Sequence, residues 1–153
     1  MRRQLGGLNG VRLVLLLAAA LAALVLAAAP MAAAPPPVVK LSTKRFGEVL
    51  ARRDKLPLYY WTVEKRAGGK IRCAGACAKA WPPLLVPKGA RVPAKIAGIR
   101  GRFGTIRRPG GRRQLMFRGL ALYSYIHDSP GVVLCNNVGG WFVVRDDPVP
   151  APS

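Results

Sequence analysis

Acidic residues are scarce in this sequence: six Asp and Glu stand among 153 residues, against 25 Lys and Arg. Paired carboxylates for general acid–base chemistry therefore have little to be built from. There is one histidine, His127, and its neighbour Asp128 would face the other side of a strand, so the acid could not orient the imidazole for a nucleophile. Cys77 is followed by Ala78, which removes the Cys-x-x-Cys-His pattern of haem attachment. The glycine pairs at 68–69, 110–111 and 139–140 fit turns, and none belongs to a phosphate loop ending in Lys-Ser or Lys-Thr. No catalytic residue, no cofactor and no resident metal are expected.

What is present begins with a leader. Arg2, Arg3 and Arg12 precede an unbroken apolar run from Leu13 to Ala29, and small residues follow up to Pro37. A basic start, an apolar middle and a small-residue end are the parts of a secretory signal, oriented by the arginines that stay in the cytoplasm. The run is at the short end of the roughly 17–25 residues that span a bilayer, so an uncleaved N-terminal anchor is the alternative to a removed signal. No cysteine lies near its end, which excludes lipid attachment at an N-terminal cysteine. The expected location is extracytoplasmic, secreted or in the cell envelope, with membrane contact only through an uncleaved leader.

From Pro35 onward 119 residues remain, enough for one modest core. They hold 22 of the Lys and Arg and all six acids, a net charge of +16. Such a field attracts polyanions, and outside the cytoplasm these are anionic lipid head groups, cell-wall polymers and released nucleic acid. Abundant Arg, Ala, Gly and Pro are also what a GC-rich coding sequence yields without selection for binding. The basic residues are spread over five clusters between Lys40 and Arg118, and no nucleic-acid module is recognisable in them.

The pattern along the chain predicts a small, mostly β (α+β) fold. Pro35–Pro37 make a stiff exit, and folding is expected to begin near Leu41. Leu56–Val63 reads as a strand, rich in aromatic and β-branched residues. Cys73 to Trp81 reads as a short helix stopped by Pro82-Pro83. Four prolines between Pro82 and Lys95 suggest a connector, after which Phe103–Arg108, the turn Pro109-Gly110-Gly111 and Arg112–Arg118 form a hairpin. Further strands are expected at Leu120–Ile126 and Gly140–Arg145. The organisation is a leader helix over 1–34, a linker over 35–45, a first repeat with its connector over 46–95, a second repeat over 96–146 and a disordered tail over 147–153.

The two repeats are related by an offset of 64 residues. Leu56-Pro-Leu-Tyr59-Tyr-Trp61-Thr-Val-Glu64 aligns with Leu120-Ala-Leu-Tyr123-Ser-Tyr125-Ile-His-Asp128, and a cysteine and then a tryptophan follow each copy. Residues two apart on a strand share a face, so Tyr59 and Trp61 point together, as do Tyr123 and Tyr125. The paired aromatics read as core, and Glu64 and Asp128 as carboxylates that fix a turn by accepting from nearby backbone N–H groups.

At these residues the chain resembles a bacterial family of predicted secreted proteins and lipoproteins, of unknown function, defined by a repeated Tyr-x-aromatic-x-x-Asp motif. The resemblance runs over roughly Phe46 to Asp146 and includes Cys73-x-Gly75-x-Cys77-Ala-x-x-Trp81-Pro-Pro-Leu and Val138-Gly-Gly-Trp141. Two departures stand out: Glu64 replaces the Asp of the motif in the first copy, and the lipid-bearing cysteine of many members is missing. The resemblance implies envelope export and a repeat architecture, and supplies no activity.

Cys73 and Cys77, four apart on a helical turn, would have α-carbons within disulfide range, with Gly75 easing the turn. Closing so short a loop stabilises by about 2 kcal/mol. A bond from either to Cys135 is the alternative, and one thiol is left over in every case. Two thiolates with Cys135 or His127 could instead hold copper or zinc, although the spacing departs from common sites. The function expected is a non-catalytic envelope module binding anionic lipid or wall polymer. A redox or metal-handling protein is the second reading, and the oligomeric state is left open.

Overall fold

The computed structural model describes residues 35–147. The expected N-terminal apolar helix and residues 148–153 of the expected disordered tail lie outside that range. Two antiparallel hairpins frame the fold. In the first, β1 (Val38–Thr43) pairs with β2 (Gly47–Arg52), from Val38 opposite Arg52 to Thr43 opposite Gly47. The Thr43 hydroxyl closes the turn, accepting from Phe46 N–H and donating to the Gly47 carbonyl, each at 3.0 Å. In the second, β5 (Phe103–Arg107) pairs with β6 (Arg113–Phe117) across the Pro-Gly-Gly turn.

Between and after the hairpins run shorter elements. β3 (Tyr59–Trp61) leads directly into α1 (Thr62–Arg66), and α2 (Ala76–Ala80) precedes β4 (Leu85–Val86). β7 (Leu120–Ala121) and β8 (Trp141–Val143) complete the order. Each half thus contributes a hairpin, a middle segment (56–61 or 120–125) and a closing segment (82–86 or 141–145).

The closing segments cross over. β8 pairs with β3 of the first half, while Pro83 bridges Tyr123 and β4 pairs with β6 of the second. Three backbones therefore converge at each side in a closed ring of hydrogen bonds. Leu50 N–H donates to the Val144 carbonyl at 2.7 Å, Val144 N–H to Leu58 at 2.8 Å, and Leu58 N–H to Leu50 at 2.9 Å. The counterpart ring joins Leu115 to Leu84 at 2.8 Å, Leu84 to Leu122 at 2.9 Å, and Leu122 to Leu115 at 3.0 Å. On the axis between them Tyr59 and Tyr123 exchange both backbone bonds, at 2.8 and 2.9 Å.

The rings explain why the strands are short: three segments meeting at one point must splay apart within two or three residues. They also place the apolar side chains. Leu50, Leu58, Leu115, Leu122 and Val144 are buried in one cluster with Val38, Phe103, Phe117, Ile96 and Ile99. Each such burial stabilises by about 1.5–3 kcal/mol, and because both halves supply the cluster, neither has a core of its own.

Three differences from the sequence reading have local causes. Residues Val38–Thr43, placed in the linker, form β1: Val38 is fully buried and Val38, Lys40 and Ser42 alternate with residues on the other face. The strand read over Leu56–Val63 ends at Trp61, because Thr62 N–H turns to the Gly140 carbonyl of the crossing segment and α1 begins. The strand read over Leu120–Ile126 is regular only at Leu120–Ala121 and continues as single bridges to its crossing neighbours.

Candidate functional site

The repeated motif forms one site on the pseudo-two-fold axis, and each half completes the other. The Tyr59 hydroxyl donates to Asp128 Oδ2 at 2.7 Å. The Tyr123 hydroxyl donates to both Glu64 oxygens, at 2.8 and 3.0 Å. Each tyrosine of one copy is thereby held by the acid of the other. The carboxylates also take up backbone donors, as the sequence suggested: Glu64 Oε1 accepts from Arg72 N–H at 2.7 Å and Cys73 N–H at 3.0 Å, and Asp128 Oδ1 from Leu134 N–H at 3.2 Å.

The aromatic residues obey the same symmetry. Trp81 and Trp141 stack at 3.9 Å and 6°. Tyr59 meets the edge of Trp81 at 5.3 Å, and Tyr123 that of Trp141 at 5.1 Å. Trp61 stacks on Trp141 at 5.3 Å, while Tyr125 lies over Trp81 at 4.6 Å. The backbone matches too: Thr62 N–H bonds the carbonyl before Trp141, and Ile126 N–H the carbonyl before Trp81. Gly140 is needed here for a close approach as well as its φ of 81°, since a Cβ would stand 2.6 Å from the Thr62 hydroxyl.

All eight motif residues, Tyr59, Trp61, Glu64, Trp81, Tyr123, Tyr125, Asp128 and Trp141, are brought together. Sequence reasoning missed Arg108 and Gln114. Buried Arg108 donates from Nη2 to the Cys73 carbonyl at 2.6 Å and from Nη1 to Gln114 Oε1 at 2.5 Å and the Tyr123 hydroxyl at 3.4 Å. Gln114 Nε2 in turn donates to the Leu122 carbonyl at 2.7 Å. A buried guanidinium beside a buried carboxylate leaves the Glu64 site close to neutral, which its low-dielectric surroundings require. Asp128 has no such cation, and burial lifts its carboxyl above the ordinary range against the opposing hydrogen bond from Tyr59.

Cys73 and Cys77 are joined, with α-carbons 5.2 Å apart, and Cys135 is free. Two of the three thiolates that a soft-metal site would use are thus consumed. His127 is exposed, its ring 5.2 Å from that of Tyr125. Among the described residues no group of three or more His, Cys, Asp or Glu is gathered as a metal site. Burial raises the Cys135 thiol, which keeps it protonated and a poor nucleophile.

Both bridging tyrosines resist ionisation. Burial first, and then the neighbouring Glu64 charge, push Tyr123 up to about 12; burial and Asp128 push Tyr59 higher still. Since the folded values lie above the ordinary 10.0, their contribution to stability is complete below that pH and is lost as the pH rises through about 12. In an alkaline absorbance titration the phenolates of Tyr59 and Tyr123 are expected to emerge only in step with unfolding. Four phenolates in folded protein near pH 11 would refute the brace.

The remaining acids are all engaged as well. Glu48 and Asp146 share Lys40 at 2.5 and 3.2 Å, Asp54 pairs with Arg52 at 2.6 Å, and Asp147 with Arg145 at 2.5 Å. Arg100 adds a contact to Asp146 at 3.8 Å. Of the 22 basic residues after the leader, these four are ion-paired among the described residues and Arg108 is buried beside Glu64, which leaves seventeen without an acidic neighbour of this kind.

Residues 40–85 match the model of a family described as a secreted repeat of unknown function. The matched span runs from β1 to β4, which is one structural half. No curated protein and no solved structure matches the chain.

Proposed function

We propose that this chain is an exported, non-catalytic binding module of the bacterial cell envelope, and that its ligands are anionic envelope components. The family description supports an extracytoplasmic place of work. Among the described residues no helix is long and apolar enough to cross a membrane. The observation that carries the reading is the disposition of charge: among the described residues every carboxylate is already held by a tyrosine, a backbone donor or a cation, while seventeen basic side chains besides buried Arg108 have no acidic partner. A surface so uncompensated is self-repelling, and it gains when polyanions neutralise it. The symmetric aromatic site does not compete for this role, since its rings and hydroxyls are spent on one another.

The test is co-sedimentation of the protein recovered from the envelope with phosphatidylglycerol vesicles and with purified anionic wall polymer. Phosphatidylcholine vesicles serve as the reference. Binding to the anionic surfaces is expected to weaken by about tenfold or more between low and high salt, as the Debye length falls from roughly 10 Å toward 3 Å. Binding that ignores salt, or that is equal on neutral vesicles, would overturn the reading.

A further inference from the structure

The two hairpins are related, and beside the second lies a cavity where the corresponding face of the first carries ion-paired acids. The cavity, of about 770 Å³, lies between the segment Leu85–Gly89 and the end of the β5–β6 hairpin. Its volume falls within the roughly 300–1,000 Å³ of small-molecule sites. Leu85, Val86 and Pro87 form one apolar wall; Lys88, Arg107, Arg112 and Arg113 bring four cations to it, and no acid lines it. Arg113 also donates to the Ala90 carbonyl and so ties the two walls together.

Arg107 and Arg113 stand directly opposite each other in the β5–β6 register. Like charges in that relation destabilise a hairpin, and here no carboxylate relieves them. The related face of the first half shows what relief looks like. Arg145 bridges Val49 there as Leu85 pairs with Gln114 on this side, so Asp146 falls at the place of Val86. Asp146 takes up Lys40 and Arg100, and the next residue, Asp147, takes up Arg145. The first hairpin thus receives anions from the segment that crosses onto it, whereas the second receives Val86 and Pro87 at the same places and its cations stay open.

We infer that this cavity is a binding site for a phosphodiester ligand, with phosphate oxygens held by Lys88, Arg107 and Arg112 and the attached polyol or sugar lying on Leu85, Val86 and Pro87. Guanidinium groups present paired donors that fit phosphate oxygens, and lysine adds a mobile point charge. The ligand chemistry is shared by a phosphate-linked wall polymer and by a phospholipid head group. The inference rests on the anion-binding reading above and gives it an address.

The test compares K88Q/R112Q with K65Q/K70Q, which removes the same charge from exposed positions around α1, after unfolding curves establish that both variants fold. Probes are glycerol-phosphate oligomers, phosphatidylglycerol vesicles and polyglutamate. The cavity variant is expected to lose about tenfold or more in affinity for at least one phosphate probe, the distant variant no more than about threefold. Loss confined to the oligomer assigns the polymer, and loss confined to vesicles assigns the head group. Equal losses in both variants, or an equal loss toward polyglutamate, overturn the site while leaving general anion binding intact. A wild-type protein that binds no probe overturns both.

Discussion

Replacing Glu64 with alanine is expected to destabilise the fold by about 3–5 kcal/mol, enough to lower the thermal midpoint by roughly 10 °C or more. The carboxylate is nearly inaccessible and accepts from three donors: the Tyr123 hydroxyl, Arg72 N–H and Cys73 N–H. An alanine leaves all three without a partner and leaves buried Arg108 without a neighbouring negative charge. Tyr123→Phe should cost less, about 1–2 kcal/mol, because it removes one donor while Glu64 keeps its two backbone bonds. Unfolding curves of the two variants check the order. A Glu64→Ala cost below about 1 kcal/mol would mean that the crossed tyrosine–carboxylate pairs do not brace the halves.

Trp81→Ala is expected to cost a further large amount, about 3–5 kcal/mol. The indole is sandwiched between Trp141 at 3.9 Å and Tyr125 at 4.6 Å, with Tyr59 against its edge. Its removal would open a void on the axis that neither half can close, since Trp141 is fixed by Trp61 on its other face. Two indoles stacked this closely couple optically, so the near-ultraviolet circular dichroism of the folded protein should carry a strong paired signal, of which the variant keeps only the weaker part due to Trp61 and Trp141 at 5.3 Å. An undiminished signal in Trp81→Ala would show that the Trp81–Trp141 stack is not its source.

Much of this was readable from the sequence where the determinants are local. Pro109-Gly110-Gly111 fixed the second hairpin because proline and glycine set turn dihedrals within the turn itself. The period-two spacing of Tyr59 with Trp61, and of Tyr123 with Tyr125, placed each pair on one face. The cysteine pair followed from four-residue proximity. What was hidden depends on partners far along the chain. Glu64 was expected to serve its own turn, and it does, but its third donor comes from Tyr123. Nothing distinguishes Arg108 from its exposed neighbour Arg107 in the sequence; the difference arises because the Cys73 carbonyl, 35 residues away, waits where Arg108 turns inward. β1 escaped notice because three prolines precede it and Lys40 interrupts it, although Lys40 is held by Glu48 and Asp146. The crossing of the closing segments had no local signal, since strand pairing over such separations is set by the whole core.

That crossing changes what the connector between the halves has to do. Neither closing segment contributes its ladder to its own middle segment, so the backbone bonds that unite the molecule run between the halves rather than through residues 87–102. The connector supplies each half with the other at high effective concentration, and through buried Ile96 and Ile99 it also fills part of the core that both halves share. A single 40–85 unit, with the strand edges of β2 and β3 unfilled, would be an unsatisfied template that seeks a second unit from another chain.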